Sequence, residues 1–409
     1  MNDVRVLKFG GTSVGNAGRI RHVAAVIEEA CRKGKVIVVV SAMGGTTDYL
    51  LKLAKQCSDD PEKRELDLLL STGEQVSIAL LAMTLRDLNI KAKSLTGAQI
   101  GIFTESNHTR ARIVDIKRET IQKHLADNDA LVVAGFQGIN ENGDTTTLGR
   151  GGSDTTAVAL AASIDALCCD IYTDVDGIYT SDPGVVADAR LIEKISYAEV
   201  LEMARLGAKV IHSRAVELAR QYNVDLRIRN TFKPQEEGTL ITGGDMEIFR
   251  SISSVAIDKG QAAVAIMDVP DQPGIAGKIA GALASHSIGI DMIMQSFHPT
   301  MGHNSITFTV NRDSLKETAK VLKELQESLG AREVKVDDDC AKVSLIGAGL
   351  MENPDIAARL FNSLGEIKAN IKLISSSEAT ISCIVAESDA EEAARAIHKA
   401  FDLAEVPVN

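Results

Sequence analysis

The stretch Val-Arg-Val-Leu-Lys-Phe-Gly-Gly-Thr-Ser-Val-Gly, residues 4–15, changes character at one residue. The apolar residues before Lys8 predict a short buried strand that ends at the lysine. Gly10 and Gly11 then allow the backbone to turn with a positive φ and bring bare N–H groups close to a ligand. We expect Thr12 or Ser13 to cap the helix that follows. N–H groups at a helix start beside a lysine favour a phosphate, although an ordinary strand-to-helix turn with a surface lysine has the same pattern.

The composition of the 409-residue chain narrows the classes of function. Its length allows two or three domains. The net charge of -12 argues against a nucleic-acid binder and favours small anionic ligands held by local basic residues. The six cysteines contain no Cys-x-x-Cys pair and the eight histidines show no ligand spacing, so we expect neither a disulfide framework nor a zinc site.

The sequence also bears on location. It begins without the charged and then apolar pattern of a signal peptide, and no apolar run reaches about 18 residues. We therefore expect a cytoplasmic protein with no membrane partner.

The first third of the chain predicts a βαβ unit. Ile20–Cys31 has apolar residues at helical spacing, and the run Val36–Val40 is apolar enough for a strand buried on both faces, as in a parallel sheet covered by helices. Ser41–Asp48 follows as a second loop of small residues at the carboxyl end of a strand, where open α/β sheets bind ligands. The alternative for this loop is a simple turn with Thr47 as a helix N-cap.

The segment Thr72–Gln75 has the pattern of a capping box that opens the apolar helix Val76–Leu85. Glu74 then lies in the first helical turn, where an acidic side chain ordinarily complements the helix dipole. It becomes a candidate site residue only if that helix end faces the ligand.

A second glycine-rich loop, Thr145–Thr156, leads into an alanine-rich helix for which Ser153 is the expected N-cap. Arg150 lies between glycines, and its planar guanidinium suits a carboxylate or a phosphate, although a solvated arginine fits too. Asp154 complements the helix dipole. Beside a bound anion, however, this carboxylate needs a cation, either Lys8 or a magnesium ion.

The stretch Asp170–Gly184 predicts a strand followed by Asp-Gly and Asp-Pro-Gly turns, and turn chemistry explains most of its aspartates. Lys209 also fits a solvated lysine at a helix end. The glycines and proline of Lys233–Glu247 mark the best domain boundary. Beyond it, two βαββα units at a spacing of roughly 80 residues indicate a duplicated module.

Five motifs together resemble the aspartate kinases of the amino-acid kinase family, and the resemblance covers the whole chain. They are Lys-Phe-Gly-Gly-Thr-Ser-Val at 8–14, Ser-Ala-Met-Gly at 41–44, Ser-Thr-Gly-Glu at 71–74, Gly-Arg-Gly-Gly-Ser-Asp at 149–154 and Thr-Asp-Val-Asp-Gly-Ile-Tyr-Thr-Ser-Asp-Pro at 173–183. The resemblance implies an N-terminal amino-acid-kinase fold, mainly a parallel sheet between helices, followed by two ferredoxin-like βαββα ACT modules. The implied domains are residues 1–245, residues 263–335, and residues 252–262 together with 340–409.

The resemblance also implies the roles of individual residues. Lys8 and Asp154 are the implied catalytic residues, with no protein group binding the metal directly. The implied ATP contacts are Lys8, Phe9, Gly10, Gly11, Ser41, Thr173, Asp174, Tyr179, Asp182 and Lys209. The implied aspartate contacts are Thr47, Glu74, Arg150, Gly151, Gly152 and Ser153. The implied effector contacts are Asp271, Gly274, Ile275, Ala276, Asp291, Met292, Gln295, Ser376 and Ser377.

The implied reaction transfers the γ-phosphoryl group of ATP, bound with Mg²⁺, to the β-carboxylate of L-aspartate. It yields 4-phospho-L-aspartate, the first step toward lysine, threonine and methionine. Lysine, threonine or both are the expected inhibitors, since Gln295–Pro299 departs from the family pattern and leaves the effector open. We expect a homodimer or higher oligomer, and Met246 is a candidate internal start for a separate regulatory subunit.

Two other functions fit part of this sequence. A related kinase acting on another acidic or carbamoyl substrate would not need both Glu74 and Arg150 for an α-amino acid, nor paired ACT modules. A non-catalytic amino-acid sensor would be expected to have lost Lys8 or Asp154, and both are present.

Overall fold

The computed structural model describes residues 4–207, 210–243, 252–296, 302–347, 350 and 353–405. These form two compact units. The first comprises the described residues of Met1–Ile178, Leu191–Ala204 and Lys209–Glu247, and the second those of Tyr179–Arg190, Arg205–Ala208 and Ile248–Asn409.

The first unit is built on a mainly parallel sheet with helices packed against it. Its strands are β1 (Arg5–Phe9), β2 (Val36–Val40), β3 (Ala92–Leu95), β4 (Ile102–Thr104), β5 (Ile113–Ile116), β6 (Ala130–Ala134), β7 (Gln137–Ile139), β8 (Thr145–Thr147), β9 (Cys169–Thr173), β10 (Lys194–Ser196), β11 (Leu226–Asn230) and β12 (Thr239–Thr242). Its helices are α1 (Ala17–Cys31), α2 (Thr46–Cys57), α3 (Lys63–Asp87), α4 (Gly97–Ile100), α5 (Arg118–Asp127), α6 (Gly152–Ser163), α7 (Tyr197–Arg205) and α8 (Ser213–Tyr222).

The main sheet has eight strands in the order β10-β12-β11-β9-β1-β2-β6-β3, parallel throughout except between β11 and β12. β1 lies between β2 and β9, with Lys8 opposite Val39 and Ile171. Every residue of β2 and β6 is buried, as the run of valines at 36–40 predicted. The core joins these strands to α1 and α3, so the carboxyl end of β1 is fixed from several sides. The same unit contains a smaller sheet with the strand order β5-β4-β7-β8.

Three predicted helix starts were wrong. The N-cap of α1 is Asn16, whose side chain accepts from the Arg19 N–H, while Ser13 instead bonds the hydroxyl of Thr231 at 2.6 Å. α3 begins at Lys63, so Thr72–Gln75 lies in its interior and Thr72 bonds back to the Leu69 carbonyl. The N-cap of α6 is Gly151 in the left-handed region, which places Ser153 inside the first turn.

α3 is long and apolar enough, by length and composition alone, to cross a membrane. Half of the qualifying window is buried within the structure, and the core of the first unit includes Ile78, Leu81, Ala82 and Leu85 of this helix. These contacts are those of a core helix in a globular unit.

The second unit contains two antiparallel four-stranded sheets. Its strands are β13 (Ser254–Asp258), β14 (Gln261–Pro270), β15 (Ile290–Gln295), β16 (His303–Asn311), β17 (Glu333–Asp337), β18 (Ala341–Ile346), β19 (Leu373–Ser376) and β20 (Thr380–Val385). Its helices are α9 (Ile275–Ser285), α10 (Leu315–Leu325), α11 (Pro354–Glu366) and α12 (Ala390–Ala400).

The two sheets interleave along the chain. One has the order β15-β16-β14-β17 with α9 and α10, and the other β13-β18-β20-β19 with α11 and α12. β13 therefore precedes the first module in sequence but pairs with β18 of the second, Asp258 opposite Lys342. Both βαββα patterns predicted from the sequence are present, each with one additional strand.

The adjacent residues Leu80 and Leu81 of α3 give a matched test of this packing. Leu81 is fully buried and Leu80 is 39% exposed. Because a buried leucine loses both transfer energy and contacts on truncation, we expect Leu81→Ala to lower the free energy of unfolding of the first unit by about 2–5 kcal/mol. Leu80→Ala should change it by less than about 0.5 kcal/mol. Urea unfolding of both variants measures the difference, and equal losses would contradict the assigned orientation of α3.

Candidate active site

The glycine loop after β1 and the loop of small residues after β2 are joined by backbone hydrogen bonds. The Ser41 N–H donates to the Phe9 carbonyl at 3.1 Å, and the Gly44 N–H donates to the Gly11 carbonyl at 3.1 Å. A Cβ atom on Gly11 would lie 2.8 Å from the Ala42 carbonyl oxygen, so this approach requires glycine. The predicted loops thus form one continuous backbone surface at the carboxyl ends of β1 and β2.

Lys8 and Asp154 meet at this surface. The Lys8 ammonium lies 2.7 Å from Asp154 Oδ1, with 12% and 13% of the two side chains exposed. Asp154 is in the first turn of α6, where the helix dipole favours its negative charge. A Cβ on Gly10 would lie 3.4 Å from the Lys8 ammonium, so that charge is directly above the first glycine loop. Of the two cations proposed from the sequence, Lys8 contacts Asp154.

The loop that carries Arg150 is fixed by its glycines. Gly149 and Gly151 have φ of +78° and +69°, and a Cβ on Gly151 would collide with the His212 ring. Gly152 is equally confined, by Phe136 and Leu148. Between these fixed positions the Arg150 side chain is exposed and makes no ion pair with any residue that the structure describes. Its guanidinium is thus available to a ligand.

Glu74 lies in the middle of α3 and is almost fully buried. Its Oε1 accepts the Ala42 N–H at 3.0 Å, whereas Oε2 is buried without a hydrogen-bond partner in the described part of the chain. Burial raises the pKa of the Glu74 carboxyl to about 7, an effect that the hydrogen bond from Ala42 only partly offsets. An unpartnered buried carboxylate beside the loop after β2 is suited to a cationic group.

Thr47 follows the loop whose Ala42 N–H donates to Glu74. It is in the first turn of α2, half-buried, and the N-cap of that helix is Gly45. A Cβ on Gly73 would lie 2.9 Å from the Ala42 side chain and 3.4 Å from that of Thr46, so α2 and the second loop pack closely on α3 next to Glu74.

Ser153 has a packing role of its own. It is buried in the first turn of α6, and a Cβ on Gly135 would lie 2.7 Å from its hydroxyl oxygen. The loop after β6 therefore lies directly against the start of α6.

Thr173 and Asp174 follow the carboxyl end of β9. The Thr173 hydroxyl donates to Asp174 at 3.2 Å, and the Thr173 carbonyl accepts the Thr231 N–H at 2.8 Å. Phe9 stacks on Tyr172 with ring centroids 4.7 Å apart and is fully buried, so only its backbone can reach a ligand.

The other predicted nucleotide residues are Tyr179, Asp182 and Lys209. Tyr179 and Asp182 belong to the segment Tyr179–Arg190, which groups with the second unit, and Asp182 accepts the Gly184 N–H within its own turn. Lys209 is outside the described residues, as is Met246. Among the described residues no group of three or more His, Cys, Asp or Glu side chains could hold a metal ion.

Two features of the site were missed in the sequence. The Ala42 N–H, which orients Glu74, carries no side-chain signal. Asp67, between two leucines of α3, looks like a surface residue but is fully buried and accepts hydrogen bonds from residues 108, 109 and 147. No local pattern marks either one, because their partners are distant in sequence.

The predicted effector residues lie in the second unit. Gly274 has a φ of +97° and open space around it at the start of α9, where Asp271 and Ala276 are exposed, while Ile275 and Met292 are buried. Gln295 and Ser376 end the strands β15 and β19, and Ser377 bonds the Thr380 hydroxyl at 2.8 Å.

Asp291 differs from the other predicted effector residues because it already has a partner. It forms an ion pair with the buried ammonium of Lys342 on β18, which belongs to the other sheet of the second unit.

Two protein-family models match this chain. A model of the amino acid kinase family matches residues 3–230, and an ACT domain model matches residues 254–326 and 343–401. The chain is 47% identical over 404 residues to an aspartate kinase of Pseudomonas putida, covering 97% of each protein.

Solved structures give the same result. The chain is similar to E. coli aspartokinase III in complex with aspartate and ADP, with a TM-score of 0.79, 26% identity and coverage of 97% of this chain and 99% of that one. It is also similar to the same enzyme in complex with lysine and aspartate, with a TM-score of 0.79, 27% identity and the same coverage.

The raised pKa of Glu74 predicts a pH dependence of stability. A carboxyl whose folded pKa lies above its unfolded value of about 4.3 destabilises the fold as it ionises, so stability falls as the pH rises to about 7. We expect Glu74→Gln to remove this loss, making the variant more stable than the parent above pH 7 by up to about 3 kcal/mol, and not below pH 4.

Urea unfolding from pH 4 to 9 without ligands measures this difference. Glu65→Gln, in the exposed first turn of the same helix, is the control and should show no such trend. A Glu74→Gln gain that is independent of pH would mean that the carboxyl titrates normally.

Proposed function

The chain belongs to the amino acid kinase family as an aspartate kinase, and from this membership we propose how its residues share the work of phosphorylating aspartate. The enzyme transfers the γ-phosphoryl group of ATP to the β-carboxylate of L-aspartate and produces 4-phospho-L-aspartate. The observation that supports the assignment of roles most strongly is the Lys8–Asp154 ion pair above the first glycine loop.

Lys8 and the backbone of the first two loops bind the phosphates. Asp154 holds the Lys8 ammonium in place, so the positive charge is positioned before ATP arrives. The N–H groups of Gly10 and Gly11, with Ser41, complete a surface on which an anion is favoured. A preorganised charge of this kind stabilises the transferring phosphoryl group without reorganisation during the reaction.

Glu74 and Arg150 hold the two ends of the amino-acid group. The buried Oε2 of Glu74 accepts the substrate ammonium, whose positive charge restores the ionised carboxylate that burial disfavours. Arg150 binds the α-carboxylate, and Thr47 with Gly151, Gly152 and Ser153 surrounds the substrate. The β-carboxylate remains as the nucleophile, and a carboxylate needs no general base, so catalysis consists of alignment and charge neutralisation.

ATP is the phosphoryl donor, since the E. coli relative binds ADP together with aspartate. The site fits a magnesium ion held through its own water ligands, because the Asp154 carboxylate is partly exposed and can accept hydrogen bonds from such waters. When bound, the ion neutralises charge on the phosphates. We assign nucleotide contacts to Thr173 and Asp174 and, from the resemblance, to the Phe9 backbone, Tyr179, Asp182 and Lys209.

The catalytic domain comprises residues 1–245, and residues 263–335 and 252–262 with 340–409 form the ACT modules. Lysine, threonine or both inhibit by binding between modules, in line with the lysine complex of the E. coli relative. The enzyme is a cytoplasmic homodimer or higher oligomer, with Met246 as a candidate start for a regulatory subunit.

The alternatives are weaker. A kinase for another acidic substrate does not account for the cation-accepting Glu74 and the available Arg150 together. A non-catalytic sensor does not account for the Lys8–Asp154 pair.

Lys8→Ala tests the chemistry. Because the charge acts mainly on the transferring phosphoryl group, we expect kcat to fall by at least about 10²-fold, with little change in the KM for aspartate. The assay traps the acyl phosphate with hydroxylamine and measures the aspartyl hydroxamate. Lys52→Ala, exposed on α2, should behave as the parent. A Lys8→Ala enzyme with near-parental turnover would remove Lys8 from the chemistry, and a parent that forms no hydroxamate from ATP and aspartate would refute the activity.

Ser377→Phe tests the regulatory assignment. The side chain is exposed at the turn between β19 and β20, so a phenyl ring would fill the proposed effector site of the second unit. We expect nearly unchanged kcat and inhibition shifted to at least about tenfold higher effector concentration, a loss within the usual range of allosteric coupling. Ser388→Phe, exposed in the same module, is the control. Unaltered inhibition of Ser377→Phe by lysine and threonine would place the site elsewhere.

A further inference from the structure

Asp67 is a fully buried carboxylate with no assigned role in the reaction proposed above. Its Oδ2 accepts from His108 Nδ1 at 2.7 Å, and the Thr109 N–H donates to both oxygens at 3.0 and 3.1 Å. The Thr147 hydroxyl donates to Oδ1. Such a set of hydrogen-bond donors offsets the cost of burying a polar carboxyl group.

The donors come from two segments at the Arg150 loop. One precedes the loop in sequence, and the other packs against it. Thr147 ends β8, three residues before Arg150. Thr109 has a φ of +69°, and its carbonyl oxygen would be 3.2 Å from a Cβ on Gly149, so the segment 107–110 lies directly against the loop. Asp67 thus connects the core helix α3 to both sides of the base of this loop.

Arg214 forms hydrogen bonds to both of these segments. Its guanidinium donates to the Leu148 carbonyl at 2.9 Å and to the Ala111 carbonyl at 3.0 Å, and the Ala111 N–H donates to the Thr147 carbonyl at 3.0 Å. The backbone on either side of Gly149 is therefore held, whereas the Arg150 side chain has no partner within the described residues to hold it.

We propose that Asp67 is a positioning residue for aspartate recognition, which sets where Arg150 meets the substrate α-carboxylate. The inference rests on the proposed role of Arg150. Glu74, on the same helix as Asp67, fixes the ammonium end of the substrate, so α3 sets both ends of the amino-acid group relative to each other. A rigid distance between these two anchors determines where the β-carboxylate lies for attack.

Asp67→Asn is the variant that tests the proposal. An amide keeps the volume of the carboxyl but replaces one acceptor oxygen with a donor, so at least one of the buried donors loses its partner. We expect the KM for aspartate to rise on the order of tenfold, with the KM for ATP unchanged within about twofold. Asp144→Asn, at the turn between β7 and β8 where the partly exposed carboxylate pairs with Arg64, is the control and should leave both constants unchanged.

A double-mutant cycle separates positioning from general destabilisation. Arg150→Ala alone should raise the KM for aspartate, and in that background Asp67→Asn should add little, because the contact that it positions is gone. The inhibition constant of 3-aminopropanoate, which lacks the α-carboxylate, should be the same for the parent and for Asp67→Asn. Additive effects in the cycle, or a parental KM for Asp67→Asn, would overturn this inference and leave the role of Arg150 intact.

Two further measurements keep the proposal falsifiable. A parental aspartate KM for Arg150→Ala would refute the proposed role of Arg150 itself. If Asp67→Asn does not fold, Thr147→Val removes a single donor and leaves the carboxylate with its other partners. That variant should raise the KM for aspartate in the same direction by a smaller factor, and no change would refute the proposal.

Discussion

The ion pair between Lys8 and Asp154 is the contact on which the rest of the site depends. It joins the end of the central strand β1 to the first turn of α6, two elements far apart in sequence, and places a cation above a glycine loop whose N–H groups favour anions. A lysine alone at this position would be mobile, and an aspartate alone would repel phosphate. Together they form a fixed positive site, because the carboxylate is itself held by the start of a helix.

Glu74 shows the opposite use of a charge. It is buried with one oxygen unpartnered, which raises its pKa and weakens the fold at neutral pH. A structure tolerates such a group when a ligand supplies the missing charge, so part of the binding energy for a cationic group is stored in the empty site as destabilisation. Binding of a cationic group beside Glu74 therefore stabilises α3.

Much of this architecture could be predicted from the sequence, since periodicity and glycine loops located β1, β2 and the two βαββα repeats. Lys8, Arg150 and Asp154 were candidates because they lie in or beside glycine loops, although each also had an ordinary structural explanation. The starts of α1, α3 and α6 were wrong because tertiary contacts, such as the bond between Ser13 and Thr231, outweighed local capping patterns. Asp67 could not be found, because only the fold brings residues 108 and 147 to it.

The pairing of β13 with β18 has a consequence for the order of folding. When β13 emerges during synthesis, its partner has not yet been made, and the whole of the intervening module is translated before Ala341 appears. The four strands of that module are consecutive in sequence and form a complete sheet, so the module can fold first. Until β18 is made, β13 remains an unpaired strand. Once the intervening module has folded, only a short effective loop has to close for Asp258 of β13 to pair with Lys342 of β18, which lowers the entropy cost of this pairing.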